Sequence, residues 1–287
     1  MVKRALEGGR YVWSFKHPTI RDAFASLVAE DPELLDIYLA GTPPEKLVHE
    51  ISCGPSDIQG VKVIVPSERY AKVVQRLDRI AEKRQLHWFL TYRCDKDFLS
   101  AFLTQNPTIF EQLRHWGAYL SAFSEVALLG RLHECGLLPE AERLVFVEGV
   151  FEILGFTLDD GFLKRQSLKA MFTPQELKKA LELVEDFLVN RLDDEIYDTA
   201  RNFSPKNSGS PESHFDTISS ALVTFQKQFS VDPIPSQAIE QGKASIREKI
   251  QELEEEYATP DEDYEGHGGG SLSEASGDRS VFDDIDE

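Results

Sequence analysis

The sequence lacks the motifs that would assign it to a common enzyme class. It contains no G-x-x-x-x-G-K-[ST] loop, no G-x-S-x-G turn and no H-E-x-x-H pair. The phosphate-binding nest, the exposed serine nucleophile and the helical zinc pair of those motifs are therefore absent. No stretch reaches the ~18 uncharged apolar residues that a membrane span needs, and the N-terminus has no apolar run typical of a signal peptide. We therefore expect a cytoplasmic protein that makes no contact with a membrane.

Cysteine is scarce: the chain has Cys53, Cys94 and Cys135. An odd number at wide spacing does not make a disulfide framework, and free thiols in a reducing compartment fit better. His49 and Cys53 are four residues apart, and His133 is close to Cys135, but neither pair has the second pair that a four-ligand zinc site needs. Core cysteines and semi-buried histidines explain these residues better, so we predict no metal and no other cofactor.

Basic residues are few compared with acids. The chain has 31 Lys and Arg against 50 Asp and Glu, a net charge of −19. Ala258 to Glu287 contain ten acids opposed only by Arg279, a net charge of −9. Because nucleic-acid binding depends on Lys and Arg that displace counterions from phosphates, the net charge argues against a large nucleic-acid surface, although a small local one stays open. The Gly, Ser and acid content of residues 258–287 predicts a disordered acidic tail.

Helical patterns dominate the rest of the chain. Apolar residues recur at helical spacing through 86–203, and the motif Thr-Pro-x-Glu at Thr173 is a strong helix start. Thr42-Pro-Pro-Glu is a second such start. The last helix, about Gln237 to Tyr257, has a narrow apolar stripe typical of docking on a partner or a neighbouring helix. We predict a mainly α fold with these units: residues 1–85, a helical domain 86–203, an exposed linker 204–213, two helices in 214–257 and the tail 258–287.

Two short β patterns interrupt the helices near the N-terminus. Tyr11–Phe15 follows Gly8-Gly9, and Val61–Val65 ends at Pro66. We expect these two strands to pair as the remnant of a small sheet. A helix from Ser67 to about Arg84 is predicted to follow them.

The junction after the first of these strands has an uncommon sequence, formed by Trp13, Phe15, His17, Pro18 and Thr19. Together with the sequel Asp31-Pro-Glu-Leu-Leu-Asp-Ile-Tyr-Leu-Ala40, it resembles the segment that follows the ATPase module in STAND-class signalling ATPases, in particular the novel STAND NTPases. The resemblance covers residues 8 to 80. It implies a winged-helix unit and a regulatory part that senses a target or transmits the nucleotide state, often in bacterial defence.

The sequence departs from that family because the Walker loop is missing. No nucleotide-binding residue is carried over, and the chain by itself is expected to be non-catalytic. Acidic pairs such as Asp159-Asp160 do not change this expectation, because acids are electrostatically favoured near helix starts. A truncated gene product, a fragment and one subunit of a split ATPase all stay open as explanations. In the last case an upstream ATPase half would be a partner.

One basic pattern is a candidate interaction site. Its cations are spaced by 3, 4, 3 and 4 residues, which places them on one stripe of the helix predicted after Pro66: Arg69, Lys72, Arg76, Arg79 and Lys83. The stripe is either a contact for phosphate, DNA or an acidic peptide, or a solvated helix face. It supports the alternative function, a nucleic-acid-binding module.

The tail offers a second candidate site. Phe282 and Ile285 are three residues apart among acids, and such a segment can fold onto a basic groove, including the stripe of its own chain. The tail is otherwise a solubilising segment. His17 is either a contact that senses a bound nucleotide or a junction histidine packed on Trp13. The function we predict from these features is a protein-interaction or regulatory module with protein partners.

Overall fold

The computed structural model describes residues 31–55 and 61–257 in full and residues 2–7 and 10–15 as backbone strands. The predicted mainly helical fold is confirmed. The strands are β1 (Val2–Glu7), β2 (Arg10–Phe15), β3 (Ile51–Ser52) and β4 (Val63–Ile64). The first helices are α1 (Pro32–Gly41), α2 (Pro44–Glu50), α3 (Tyr70–Leu77), α4 (Lys83–Tyr92), α5 (Lys96–Gln105), α6 (Ile109–Leu113) and α7 (Ser124–Glu134). The others are α8 (Glu140–Leu154), α9 (Gly161–Lys164), α10 (Gln166–Lys169), α11 (Pro174–Asn190), α12 (Leu192–Arg201), α13 (Pro205–Ser208), α14 (Pro211–Gln228) and α15 (Pro233–Tyr257).

The predicted strand pairing was wrong. β2 pairs antiparallel with β1, and because Glu7 is opposite Arg10, only Gly8 and Gly9 separate the two strands in sequence. β4 pairs in parallel with β3, which follows α2 directly. The two-residue Gly-Gly spacing favours a local hairpin over a distant partner. The winged-helix assignment stays a prediction.

Helix starts were predicted with mixed success. Thr173 caps α11 in a capping box, since its hydroxyl accepts from the Glu176 amide while the Glu176 carboxylate accepts from the Thr173 amide. The predicted start at Thr42 is displaced, because α2 begins at Pro44 and Pro43 is its N-cap without a side-chain bond. The Thr42 carbonyl instead accepts a bond from Arg76, 34 residues away.

The predicted helix from Ser67 to Arg84 is divided into two. A 3₁₀ turn over Ser67–Arg69 leads into α3, which ends at Leu77, and α4 begins only at Lys83. The amides of Arg79 and Ile80 bond to the carbonyls of Arg76 and Leu77, so the last turn of α3 tightens to 3₁₀ spacing. The chain turns here because Ile80 is buried in the core with Leu77.

The C-terminal helices pack on the helices before them. The region predicted as an exposed linker contains α13, and the Ser210 hydroxyl caps α14 by accepting from the Ser213 amide. α15 begins at Pro233, earlier than predicted, because prolines are tolerated in a first helical turn. Its apolar stripe meets neighbouring helices of the same chain, with Ile239, Gly242 and Ile246 buried against α11, α12 and α14.

One cluster of buried side chains extends from Leu35 to Leu253 in the described residues. The boundaries predicted at 85 and between 204 and 213 therefore do not separate independent cores, and the division into units stays a prediction. Among the described helices, none combines the length and the apolar composition that crossing a bilayer requires.

Gly242 is the close-contact point of α15. A Cβ atom at this position would overlap Leu192 Cδ2 and approach Leu192 Cγ at 3.2 Å. We expect Gly242→Val to lower the free energy of unfolding by about 1–3 kcal/mol through overpacking. The matched control is Ala244→Val on the exposed face of α15, which should cost less than about 1 kcal/mol through helix propensity alone. Equal losses in urea unfolding would contradict this account of the α12–α15 contact.

The start of α11 is fixed by an ion-pair network with α8. Arg143, which is nearly buried, donates Nη1 to Glu176 Oε2 at 2.8 Å and Nη2 to Glu140 Oε1 at 2.7 Å. The hydrogen bond from Arg143 lowers the pKa of Glu176 to about 2.

This network predicts a specific pH dependence. Because the folded-state pKa of Glu176 is depressed from 4.5, its contribution to stability is present above pH 4.5 and is lost as the pH falls towards 2. We expect Glu176→Gln to be less stable than the wild type at pH 7. Between pH 4.5 and pH 2 its free energy of unfolding should fall less than that of the wild type. Glu182→Gln, an exposed acid of the same helix, should follow the wild-type curve. Parallel unfolding curves for Glu176→Gln and the wild type would show that the pair does not contribute.

Candidate interaction surface

Most of the predicted basic stripe holds α1 against α3. Lys72 Nζ lies 2.8 Å from Asp36 Oδ2 and Arg69 Nε lies 3.3 Å from Asp36 Oδ1. These two cations, Lys72 foremost, lower the pKa of Asp36. Arg76 donates to the carbonyls of Ala40 and Thr42, the second bond measuring 2.6 Å. These carbonyls end α1 without partners in their own helix, so a cation there satisfies them.

The other cations face solvent. Arg79 lies in the connection after α3, and Lys83 lies with Arg84 in the first turn of α4. All three side chains are exposed, and none forms an ion pair with a described residue. Between Ser67 and Cys94 the chain has seven cations and three acids, a net charge of +4 in a protein of −19. The surface at Arg79, Lys83 and Arg84 is therefore a local positive patch on an acidic molecule.

A cleft adjoins this patch. Its volume is about 320 Å³, and it is lined by His49, Glu82, Arg84, Gln85 and Trp88. We call it the Trp88 cleft. Glu82 accepts a hydrogen bond from the Gln85 amide, so part of its charge is already engaged. The indole of Trp88 is half-buried and provides the large apolar surface of the cleft.

Trp88 is held in place by its neighbours on α4. The Arg93 guanidinium lies 4.9 Å from the centre of the indole ring, a cation–π contact, and the Tyr92 ring is 5.6 Å away. Arg93 Nη1 also donates to the His49 carbonyl at 2.7 Å, which ties the end of α2 to the base of the cleft. The indole and the His49 wall are thus positioned together.

Backbone bonds make this junction rigid. The Cys53 amide donates to the Arg93 carbonyl at 2.8 Å, and the Asp95 amide donates to the Cys53 carbonyl at 2.7 Å. The buried Ser52 hydroxyl also donates to the Arg93 carbonyl, at 3.1 Å. The strand after α2 is therefore bonded along the end of α4, and the cleft between these segments is preformed.

The chemistry of this surface suits an acidic peptide. Three guanidinium or ammonium groups can pair with carboxylates, while the indole accepts an aromatic or aliphatic side chain. Sequence reasoning found Arg79 and Lys83 but missed Arg84 and Trp88. Arg84 and Trp88 are four residues apart, and residues at this spacing share one face of a helix. The sequence pattern did not show this, because it placed Arg84 at the end of the preceding helix, whereas α4 begins at Lys83.

The buried imidazole of His87 belongs to a contact between two helices. His87 is buried between α4 and α7, with Nδ1 3.1 Å from Ser124 Oγ and 3.4 Å from Glu125 Oε1. Burial lowers the pKa of His87, partly offset by Glu125. The imidazole of His87 therefore lies in the contact between α4 and α7.

The buried thiols and carboxylates also have structural roles. Burial and the contact with Cys53 raise the pKa of the Cys94 thiol, which keeps it protonated and a poor nucleophile. Asp159 accepts from the amides of Leu120 and Gly161 at 2.7 and 2.8 Å, beside Tyr119 with its left-handed φ of 67°. Its carboxylate thus holds a turn. Within the described residues, no group of three or more His, Cys, Asp or Glu is placed to hold a metal ion.

A larger cleft of the described residues lies elsewhere and has different chemistry. It measures about 490 Å³ between the loop at Trp116 and α8, with Phe156 79% exposed at its edge. Its exposed acids, Glu148 and Glu152, repel a negative ligand, and Arg114 is engaged by Glu142 at 2.7 and 3.0 Å. This cleft is larger than the Trp88 cleft but does not match an acidic ligand.

The structure describes only part of the predicted junction after the first strand and none of the predicted tail anchors. Trp13 and Phe15 lie in β2, so the predicted strand is confirmed. His17, Pro18 and Thr19 lie outside the described residues, as do the tail and its anchors Phe282 and Ile285.

No protein-family model, no curated protein and no solved structure matches the chain. The resemblance to STAND ATPases therefore rests on the sequence motif alone and stays a prediction.

Cations bonded to α1 and cations that face the solvent differ in their expected effect on the free energy of unfolding. We expect Arg76→Met to lower the free energy of unfolding by about 1.5–3 kcal/mol, because charged hydrogen bonds to the end of α1 are lost. Arg79→Met removes the same group three residues away and should stay within about 0.5 kcal/mol of the wild type. Urea unfolding of both variants checks this. If Arg76→Met left the free energy of unfolding unchanged, the bonds of Arg76 to the end of α1 would not contribute to stability.

Proposed function

We propose that the chain is a protein-interaction or regulatory module that binds an acidic segment of a partner at the Trp88 cleft. The observation that carries the proposal is a cleft that Arg84 and the half-buried indole of Trp88 line together, preceded in the chain by two further exposed cations, Arg79 and Lys83. The net charge of −19 repels most acidic surfaces from the protein as a whole. Binding at the positive patch therefore favours a short acidic ligand that also brings an apolar anchor for the indole.

The fixed geometry of the cleft supports binding by a short segment. Binding costs free energy for every side chain that must be ordered. Trp88 is already held by Arg93, and Arg93 by the carbonyl of His49. An incoming aromatic or aliphatic side chain therefore meets an indole that needs little rearrangement, and the cations at the rim supply charge pairing.

The proposed setting is the one that the sequence resemblance implies. The module would be the C-terminal sensor or transmission part of a STAND-type signalling ATPase, non-catalytic by itself, with an upstream ATPase half as one partner. The support is the motif from Trp13 to Thr19 and its sequel up to Ala40. Reading the coding DNA upstream of Met1 for an in-frame Walker loop tests this setting, and hydrolysis of ATP by the purified chain would contradict the non-catalytic assignment.

The nucleic-acid alternative has less support than the sequence suggested. Lys72, Arg69 and Arg76 are bound to α1, so the five cations do not form one free stripe. A specific protein–DNA contact commonly neutralises about 6–10 phosphates. The three cations at the cleft are too few for that number.

The proposal predicts binding of an acidic probe. A fluorescein-labelled peptide Asp-Asp-Phe-Asp-Glu-Leu-Asp-Glu should bind the full chain at an ionic strength of about 0.15 M, where the Debye length is about 8 Å, measured by fluorescence anisotropy. Arg79→Glu/Lys83→Glu/Arg84→Glu should weaken binding at least about tenfold, since each exposed ion pair contributes up to about 1 kcal/mol. Lys96→Glu/Lys206→Glu/Lys227→Glu makes the same charge change at exposed positions elsewhere, and it should weaken binding less than about threefold because salt screens distant charges.

One variant peptide and one duplex DNA define the specificity. Replacing Phe and Leu of the probe by Ser should abolish most of the binding, because the indole would have no anchor to contact. A duplex DNA of 20 base pairs should bind more weakly than the probe at the same salt concentration. Equal weakening by both charge reversals, or tighter binding of DNA, would overturn the proposal.

A further inference from the structure

The C-terminal segment of this chain has the chemistry that the Trp88 cleft would recognise. Ser280–Glu287 contains three apolar side chains, Val281, Phe282 and Ile285, among four acids, and Phe282 and Ile285 are the larger two. We propose that this segment is the ligand of the Trp88 cleft within the same molecule, so that it competes with the acidic segment of a partner. The proposal rests on the proposed function, because it names an occupant for the same site.

Charge complementarity supports this pairing. The segment from Ser67 to Cys94 has a net charge of +4, whereas residues 258–287 have ten acids and one arginine. The acids next to the anchors are Asp283, Asp284, Asp286 and Glu287. The exposed cations of that segment without an ion pair in the described residues are Arg79, Lys83 and Arg84, of which Arg84 lines the cleft. Docking of the segment would give these cations the carboxylates that the described residues do not provide.

The length of the connecting chain permits the contact. α15 ends at Tyr257, and Phe282 follows 25 residues later. A chain of that length spans at most about 80–90 Å, while a compact body of roughly 220 residues has a radius of gyration of about 17 Å. Phe282 can therefore reach any point on the surface, at an effective concentration of the order of millimolar.

The choice between the Trp88 cleft and the larger cleft at Trp116 follows from charge. The larger cleft at Trp116 is lined by Glu148 and Glu152, and its one cation, Arg114, is already paired with Glu142. An acidic segment would be repelled there. At the Trp88 cleft the lining acid, Glu82, is bonded to Gln85, and the exposed cations at and beside it outnumber it.

The first experiment measures competition between the segment and the acidic probe peptide. Phe282→Ser/Ile285→Ser in the full chain removes the anchors without changing charge, and we expect it to bind the probe at least about fivefold more tightly than the wild type. Leu272→Ser is the matched control, an apolar residue of the same region away from the anchors, and it should bind as the wild type does. Equal binding by all three chains would overturn this inference and leave the proposed function intact. Absence of binding in all three would overturn both.

The second experiment locates the segment directly. The photo-crosslinking amino acid p-benzoylphenylalanine is placed at position 282 of the full chain, and monomeric products are isolated after irradiation and mapped by mass spectrometry. We expect crosslinks to the peptides that contain Lys83 to Tyr92, and their loss when Arg79, Lys83 and Arg84 are reversed to Glu. The same crosslinker at position 272 should not mark those peptides. Crosslinks from position 282 that spread over the surface, or fall at Trp116, would contradict the proposal.

Discussion

The contacts between α1 and α3 determine which basic side chains of this acidic protein can meet a ligand. Asp36 pairs with Lys72 and Arg69, and the end of α1 receives Arg76. Helix ends leave carbonyls without partners, and a cation that satisfies them is held by the fold. Because α3 stops at Leu77, Arg79 lies beyond this contact and is directed to the solvent. The end of α3 at Leu77 therefore separates the cations that are bonded to α1 from those that are exposed to solvent.

The preformed cleft depends on a second set of contacts, between the strand after α2 and the end of α4. Arg93 joins them, since its guanidinium lies on Trp88 and bonds to the His49 carbonyl, while its own carbonyl accepts from the Cys53 amide. A ligand that binds beside Trp88 therefore lies next to a residue, Arg93, that is bonded to both of these segments. This position would suit the proposed regulatory module, because a ligand in the cleft would contact side chains of both α2 and α4.

Sequence patterns predicted the features that local interactions control. The mainly helical fold, the aromatic strand β2 and the capping box at Thr173 all follow from residues within a few positions of each other. The end of α3 and the parallel pairing of β3 with β4 were not predicted, because they depend on burial of Ile80 and on bonds to distant segments.

The candidate site was predicted in part for the same reason. The spacing of cations identified Arg79 and Lys83 but could not show that Arg76 is bound to α1 or that Trp88 adjoins Arg84. Both facts depend on contacts between residues that are far apart in sequence or on a helix start that the pattern placed elsewhere. A charge pattern alone does not distinguish cations that hold the fold together from cations that meet a ligand.

The most direct test of the account is an exchange of charge between the cleft and its ligand. The chain with Arg79, Lys83 and Arg84 reversed to Glu is titrated with a probe in which every acid is replaced by Lys and the apolar residues are kept. We predict an affinity within about tenfold of the original pair, and at least about fivefold tighter than that of the equally charged Lys96, Lys206 and Lys227 reversal. Equal affinities for the two reversed chains would show that the Trp88 cleft is not where acidic and apolar groups are recognised together.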